Sequence, residues 1–254
     1  MLLVRSVAEV IAREHTLLSM PMPIAGTRNA WWLNRDLLCE SLGLEASRLI
    51  IPHQIHGARV RRIDEAFFMQ ADAVKAVTLE GVDAVMTDVP KVCVSVSTAD
   101  CIPILIYDRV HHAVVAVHAG WRGTVLRIVE AVLHAMSGAY GTRPQDVEAA
   151  IGPGISLEAF EVGDEVYEAF RTTGFPMEEM ARRYPVAGDG SDRMEKWHLD
   201  LWQANRGLLE DCGVPSARIH LAGVCTYGHS ERFFSARRLG IRSGRILNGI
   251  FLTD

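Results

Sequence analysis

Ile102-Pro103-Ile104-Leu105-Ile106-Tyr107 and Ala113-Val114-Val115-Ala116-Val117, separated only by residues 108–112, decide the fold. Each is a dense apolar run with no polar face, the pattern of a central strand covered on both sides. So short a connection joins neighbouring antiparallel strands, so the two runs predict a hairpin. The residues that bracket it are chemically distinctive. Thr98-Ala99-Asp100-Cys101 leads in, and His118-Ala119-Gly120-Trp121-Arg122-Gly123-Thr124 leads out. The two ends of a hairpin lie side by side, so Cys101 and His118 can be presented at one sheet edge. Residues 48–52 predict another strand, and His53-Gln54-Ile55-His56-Gly57 the turn leaving it.

Working outward, strands and helices mix. Val92-Cys93-Val94-Ser95-Val96-Ser97 alternates with period two and predicts a strand with one buried face. Leu126, Val129, Val132, Leu133 and Met136 recur at three- and four-residue spacing, an amphipathic helix with Thr124 as its expected N-cap. Residues 147–151 predict a strand broken by Gly152-Pro153-Gly154, residues 164–170 and 200–211 predict helices, and residues 219–223 and 245–252 predict late strands. Residues 178–193 are polar and read as a surface loop. Strict βαβ alternation is missing. The expected class is α/β in the broad α+β sense: a layered domain of mixed β-sheets flanked by helices, not a doubly wound parallel one. With no internal repeat, residues 1–254 are expected to form a single catalytic domain.

Composition narrows the function. Apolar residues make up 49% and charged residues 22% of the chain, enough for a sizeable core. A net charge of −5 argues against nucleic acid as a partner, because backbone phosphates call for a basic surface. Five cysteines, an odd number without a compact framework, fit a reducing compartment. The N-terminal residues lack the uninterrupted apolar core of a signal peptide, and no apolar run approaches the roughly 18 residues of a membrane span. The expected location is the cytoplasm, away from any membrane.

His56, Cys101 and His118 offer two imidazoles and a thiol from three strand ends. A catalytic zinc uses three such ligands and keeps a fourth position for water, whose pKa it lowers to roughly 7. Residue types alone leave other readings open: buried, hydrogen-bonded side chains, or a cysteine nucleophile with a histidine base. Compact zinc signatures are absent, and with ten histidines and no His-x-His the chain lacks the ligand supply of a multicopper oxidase. Gly120-Trp121-Arg122-Gly123-Thr124 joins a strand to a helix. Its glycines allow close approach, and Arg122 could grip an anion with two bonds, so the turn is a candidate phosphate or carboxylate cradle, or else an ordinary Gly-rich turn with a solvated Arg. Arg237, Arg238, Arg242 and Arg245 form a second basic group.

Several of these stretches occur in the order of a known family: Gln54-Ile55-His56-Gly57, Thr98-Ala99-Asp100-Cys101-Ile102-Pro103, residues 118–124, Ile151-Gly152-Pro153-Gly154-Ile155, and Phe234-Ser235-Ala236-Arg237-Arg238 with Gly244-Arg245. From about Arg28 onward the chain resembles the YfiH family, long labelled polyphenol oxidase or laccase-like and now regarded as purine nucleoside phosphorylases that also deaminate adenosine. The resemblance implies a zinc ion on His56, Cys101 and His118. It also implies phosphorolysis of adenosine, inosine and methylthioadenosine, adenosine deamination, and a layered α/β fold shared with a group of cysteine hydrolases. The chain departs from the family twice. Gly26-Thr27-Arg28-Asn29 runs almost directly into Leu33-Asn34-Arg35, where relatives carry a longer segment, and Phe160-Glu161-Val162 replaces the usual Tyr-Glu-Val.

On this reading the partners are a small-molecule purine nucleoside and phosphate. Asp100 is the expected proton shuttle beside Cys101 and His118. Phosphate is expected on Arg122, Gly123 and Thr124, with Arg28 and Arg237. Two alternatives compete: a metal-free cysteine hydrolase with Cys101 as nucleophile and His118 as base, and a phenol oxidase in which copper replaces zinc.

Overall fold

The computed structural model describes residues 15–22, 28–185 and 195–253, with residues 15–22 and 28–34 described as backbone. The expected hairpin is its centre. Strands β6 (Ile102–Asp108) and β7 (Ala113–Ala119) pair antiparallel, with Ile102 opposite Ala119 and Asp108 opposite Ala113. Every residue of both strands is buried. Asp108 closes the turn: its carboxylate accepts from the amides of Val110 and His111 at 2.9 and 3.0 Å and meets His111 Nδ1 at 2.8 Å.

The hairpin lies in a six-stranded sheet of order β12-β8-β6-β7-β4-β3, completed by β3 (Val60–Arg62), β4 (Ala84–Thr87), β8 (Val147–Ile151) and β12 (Ile219–Leu221). The outermost pairs, β3 with β4 and β12 with β8, are parallel, and the inner ones are antiparallel. A second sheet has the order β1-β13-β5-β2, made of β1 (His15–Met22), β2 (Leu49–Ile50), β5 (Cys93–Thr98) and β13 (Arg245–Leu252). A small third sheet joins β9 (Glu161–Val162), β10 (Ala181–Pro185) and β11 (Glu195–Leu199).

Side-chain alternation stacks these elements. Ile102, Ile104, Ile106, Val115 and Val117 face the helices Ile128–Tyr140 and Leu201–Asp211, meeting residues such as Val129, Val132, Met136 and Leu208. Leu105, Tyr107, Val114 and Ala116 point the other way, onto Val94, Val96, Ile250 and Leu252 of the second sheet. Cys93, Leu247 and Phe251 on the far side of that sheet pack against Leu38 and Cys39 of the helix Arg28–Leu42. The result is helix, sheet, sheet, helix: mixed sheets flanked by helices, as the patterning predicts. Among the described residues no helix is long and apolar enough to cross a membrane.

Three local expectations need correction. The period-two strand has both faces covered, because the helix Arg28–Leu42 closes its outer side, and only Ser97 of β5 escapes full burial. Thr124 is not an N-cap. It lies within the short helix Trp121–Val125 and its hydroxyl donates back to the Gly120 carbonyl at 3.0 Å; the long helix starts at Ile128, after Arg127 at φ +56°. Residues 178–185 are not a surface loop but the end of the helix Met177–Met180 followed by β10, where the apolar Met180 and Ala181 enter the core. The rest of that segment, residues 186–193, lies outside the described residues, as do residues 1–14.

Ile104 sits opposite Val117 on one side and Ile151 on the other, fully buried. Ile104→Ala should lower the unfolding free energy by about 2–5 kcal/mol, the range for a large side chain deleted from a packed interior. Urea denaturation measures this. A loss below about 1 kcal/mol would contradict a closed contact between sheet and helices at this position.

Candidate metal centre and active site

Hairpin register brings the candidate ligands together. His118 pairs opposite Pro103 in the β6–β7 ladder, so Cys101 lies just beyond the last pair and faces Gly120. His56 arrives from the loop after β2. One donor atom each from His56, Cys101 and His118 lies within 4.8 Å of the others, and the two imidazoles meet edge to face with centroids 4.8 Å apart.

A residue that drew no notice in the sequence organises this cluster. Asp83 directly precedes β4 and is fully buried. Its carboxylate accepts from the amides of His56 at 2.9 Å, Gly57 at 2.8 Å and Ile55 at 3.3 Å, and from His118 Nδ1 at 2.8 Å. The Asp83 carbonyl in turn accepts from the His118 amide at 2.8 Å. Three converging N–H groups hold the 55–57 turn in place, with His56 in the left-handed region at φ +63°. The bond to Nδ1 fixes the His118 ring and leaves Nε2 for a ligand, the arrangement that orients histidines on metal ions. Its signal in the sequence is a lone carboxylate heading the otherwise apolar Val82-Asp83-Ala84-Val85-Met86.

Electrostatics follow from this geometry. Burial works to raise the Asp83 carboxyl, but the hydrogen bonds from His118, Gly57 and Ile55 outweigh it and hold it below the usual carboxylate range. Burial also pushes the Cys101 thiol up; hydrogen bonds and charge from His118 and His56 overcome this and bring it to about 6. His118, despite its own burial, is raised to about 9 by Asp83 and Cys101. The thiol is therefore ready to act as thiolate, the form that binds metals and attacks electrophiles.

Space around the cluster is equally specified. A Cβ on Gly120 would lie 3.0 Å from His56 Cδ2, 3.1 Å from Cys101 Sγ and 3.8 Å from His118 Cε1. Gly120 has an ordinary φ of −72°, so it is there for room, not for conformation. A Cβ on Gly123 would come 2.8 Å from the Gly57 carbonyl. Gln54 ties the loop to the end of β5: its Oε1 accepts from the Ser97 amide at 2.7 Å and its Nε2 donates to the Ser97 carbonyl at 2.9 Å. One thiolate and two imidazoles, one of them carboxylate-oriented, suit a tetrahedral zinc or a copper ion.

The three side chains open onto a cavity of about 520 Å³, walled by Gln54, Asp100, Ile155, Phe160, Arg237 and Arg245 among others. Asp100 and Arg237 thus reach the cavity. The expected phosphate cradle does not: the Thr124 side chain is fully buried against Gly120 and Asn205, and Gly123 packs under the 55–57 turn. Arg122 is exposed and lies over the Trp121 ring at 4.5 Å. This turn follows the ligands closely, and packing beside them turns Thr124 and Gly123 into the interior. Arg28 starts the first helix, and its side chain lies outside those described.

Residues 25–253 match the family model described as multi-copper polyphenol oxidoreductase laccase. The chain belongs to this family, the YfiH family. A purine nucleoside phosphorylase of Bacteroides thetaiotaomicron is 47% identical over 219 residues, covering 86% of this chain and 78% of the relative. Adenosine deaminase RL5, from an unknown prokaryotic organism, is 42% identical, covering 85% and 80%. YlmD from Geobacillus stearothermophilus superposes with a TM-score of 0.80 at 28% identity, covering 94% of this chain and 92% of YlmD. This member of the YfiH family is accordingly an enzyme. Among its described residues, His56, Cys101 and His118 are the one group of three or more His, Cys, Asp or Glu side chains placed to hold a metal ion.

Gly120→Ala should weaken metal binding, because the new methyl would press on His56 and Cys101 and push them apart by a few tenths of an ångström. Asp83→Asn should weaken metal affinity on the order of 10–100-fold, the usual cost of removing a carboxylate behind a metal-binding histidine. Chelator competition reads both; wild-type affinity in Asp83→Asn would refute the orienting role.

Proposed function

We propose that this chain is a zinc-dependent purine nucleoside enzyme, cytoplasmic and working as one catalytic domain. Its reactions would be phosphorolysis of adenosine, inosine and methylthioadenosine, and deamination of adenosine. The observation that carries this is the 47% identity to a purine nucleoside phosphorylase across most of both chains. The adenosine deaminase relative supports the second reaction. A 520 Å³ cavity lies in the range of small-molecule sites and suits a nucleoside beside a phosphate.

His56, Cys101 and His118 would hold the zinc, which supplies Lewis acidity and activation of water when bound. The chain's own groups account for binding and orientation. Phe160 and Ile155 offer apolar wall to a flat base, and Arg237 and Arg245 offer positive charge to an anion in the same cavity. In phosphorolysis a phosphate oxygen bonds to C1′ as the bond from C1′ to the purine nitrogen breaks, and the base leaves with the electron pair. Holding the anion and C1′ in contact is what these side chains contribute. In deamination water replaces the C6 amino group and ammonia leaves.

Purified protein given adenosine and phosphate should release adenine or inosine, and His118→Ala should lose both the activity and one equivalent of zinc by metal analysis. Zinc-loaded protein that releases neither product would end this reading.

One observation favours a second reading, a cysteine hydrolase: the Cys101 thiol lowered to about 6 beside a His118 raised to about 9 resembles an activated nucleophile with its base. Iodoacetamide separates the two. With metal on the sulfur, Cys101 should resist labelling until chelator is added, then label with a midpoint near pH 6, well below an ordinary thiol. Ready labelling without chelator would favour the hydrolase.

A further inference from the structure

Asp100 occupies an unusual place. It is next to Cys101 in the chain, it is 8% exposed, and its backbone lies in the left-handed region at φ +86°. Its carboxylate oxygens are both engaged. Oδ1 accepts from the Thr226 hydroxyl at 2.7 Å, and Oδ2 accepts from the Arg237 backbone amide at 2.7 Å. Its carbonyl accepts from the Ile155 amide at 2.9 Å. These bonds tie the segment before β6 to two distant loops, 126 and 137 residues away.

Arg237 is the residue this arrangement aims. Its two terminal nitrogens both donate to the Glu161 carbonyl at 3.0 Å, which sets the plane of the guanidinium, and its Cζ lies 5.7 Å from the centre of the Phe160 ring. A guanidinium carries five N–H donors, so sharing one carbonyl leaves others for a ligand. The buried Ser235 hydroxyl accepts from the Arg238 amide at 3.2 Å and starts the turn Ala236–Leu239. Asp100 is thus a clasp between the Cys101 loop and the turn that carries Arg237, and both residues face the cavity.

We propose that Asp100 is a positioning residue that acts through Arg237, holding its guanidinium at the cavity wall to bind the phosphate co-substrate. This differs from the proton shuttle expected from sequence, and it rests on the proposed phosphorolysis. Inorganic phosphate is a tetrahedral anion that a fixed guanidinium can grip with two bonds.

The test is a double-mutant cycle on the zinc-loaded protein, reading KM for phosphate, kcat, and phosphate affinity by calorimetry. Asp100→Asn removes the negative charge from both hydrogen bonds, whichever way its amide turns. It should raise KM for phosphate about tenfold, the scale of one charge-assisted hydrogen bond. Arg237→Ala should raise it at least as much. The double variant should be no worse than Arg237→Ala, because a residue acting only through Arg237 has nothing left to lose. Thr226→Val should shift KM the same way by a smaller factor, and it carries the test if Asp100→Asn does not fold. Multiplying effects, a kcat collapse at unchanged KM, or loss of zinc from Asp100→Asn would each overturn the proposal. Calorimetry keeps the two questions apart. If wild type shows no phosphorolysis, the functional reading fails, while phosphate affinity still reports whether Asp100 and Arg237 act as one unit.

Discussion

One buried carboxylate holds the site together. Asp83 sits where the 55–57 turn, the end of β7 and the start of β4 meet, and it receives four N–H groups. A buried carboxylate with fewer partners would be costly to keep charged. With these partners it is stabilised as the anion, and its charge reaches the thiol through the His118 ring. Without it, the three backbone amides of the turn would lose their shared acceptor and His118 its orientation. The ligand trio is therefore a consequence of how Asp83 is satisfied.

Close approach is the second constraint. Gly120 and Gly123 let the chain pass beside the ligands and under the 55–57 turn. On the other side of the hairpin, a Cβ on Gly154 would collide with Ile102 Cδ1 and lie 3.1 Å from the Asp100 carbonyl. These glycines allow one short stretch to be candidate ligand set, cavity wall and packing surface together. The same crowding explains why Thr124 faces inward.

Much of this was legible in the sequence. The twin apolar runs announced a hairpin, and a hairpin announces that the residues at its open end are neighbours, which places Cys101 beside His118. The helices Ile128–Tyr140 and Leu201–Asp211 showed in their periodicity. What stayed hidden depended on partners far along the chain. Asp83 has no local signature beyond its apolar surroundings, because its partners come from 26 and more residues before and 35 residues after it. The burial of both faces of β5 depends on the helix Arg28–Leu42. That Arg237 and not Arg122 reaches the cavity could not be read from motifs, since it depends on which way each turn faces once Asp100 has bonded the later one.

The hairpin also checks its own folding. Cys101 directly precedes β6 and His118 lies in β7, so their separation is set by the strand register. Slipping that register by one residue would displace one arm by roughly 3.3 Å and turn its side chains to the opposite face. No ion could then bridge both arms. An ion held by this trio would bind the correctly registered hairpin alone, and by mass action it would draw the ensemble toward that alignment. The cluster at the open end thus acts as a gauge that accepts one alignment of the central strands.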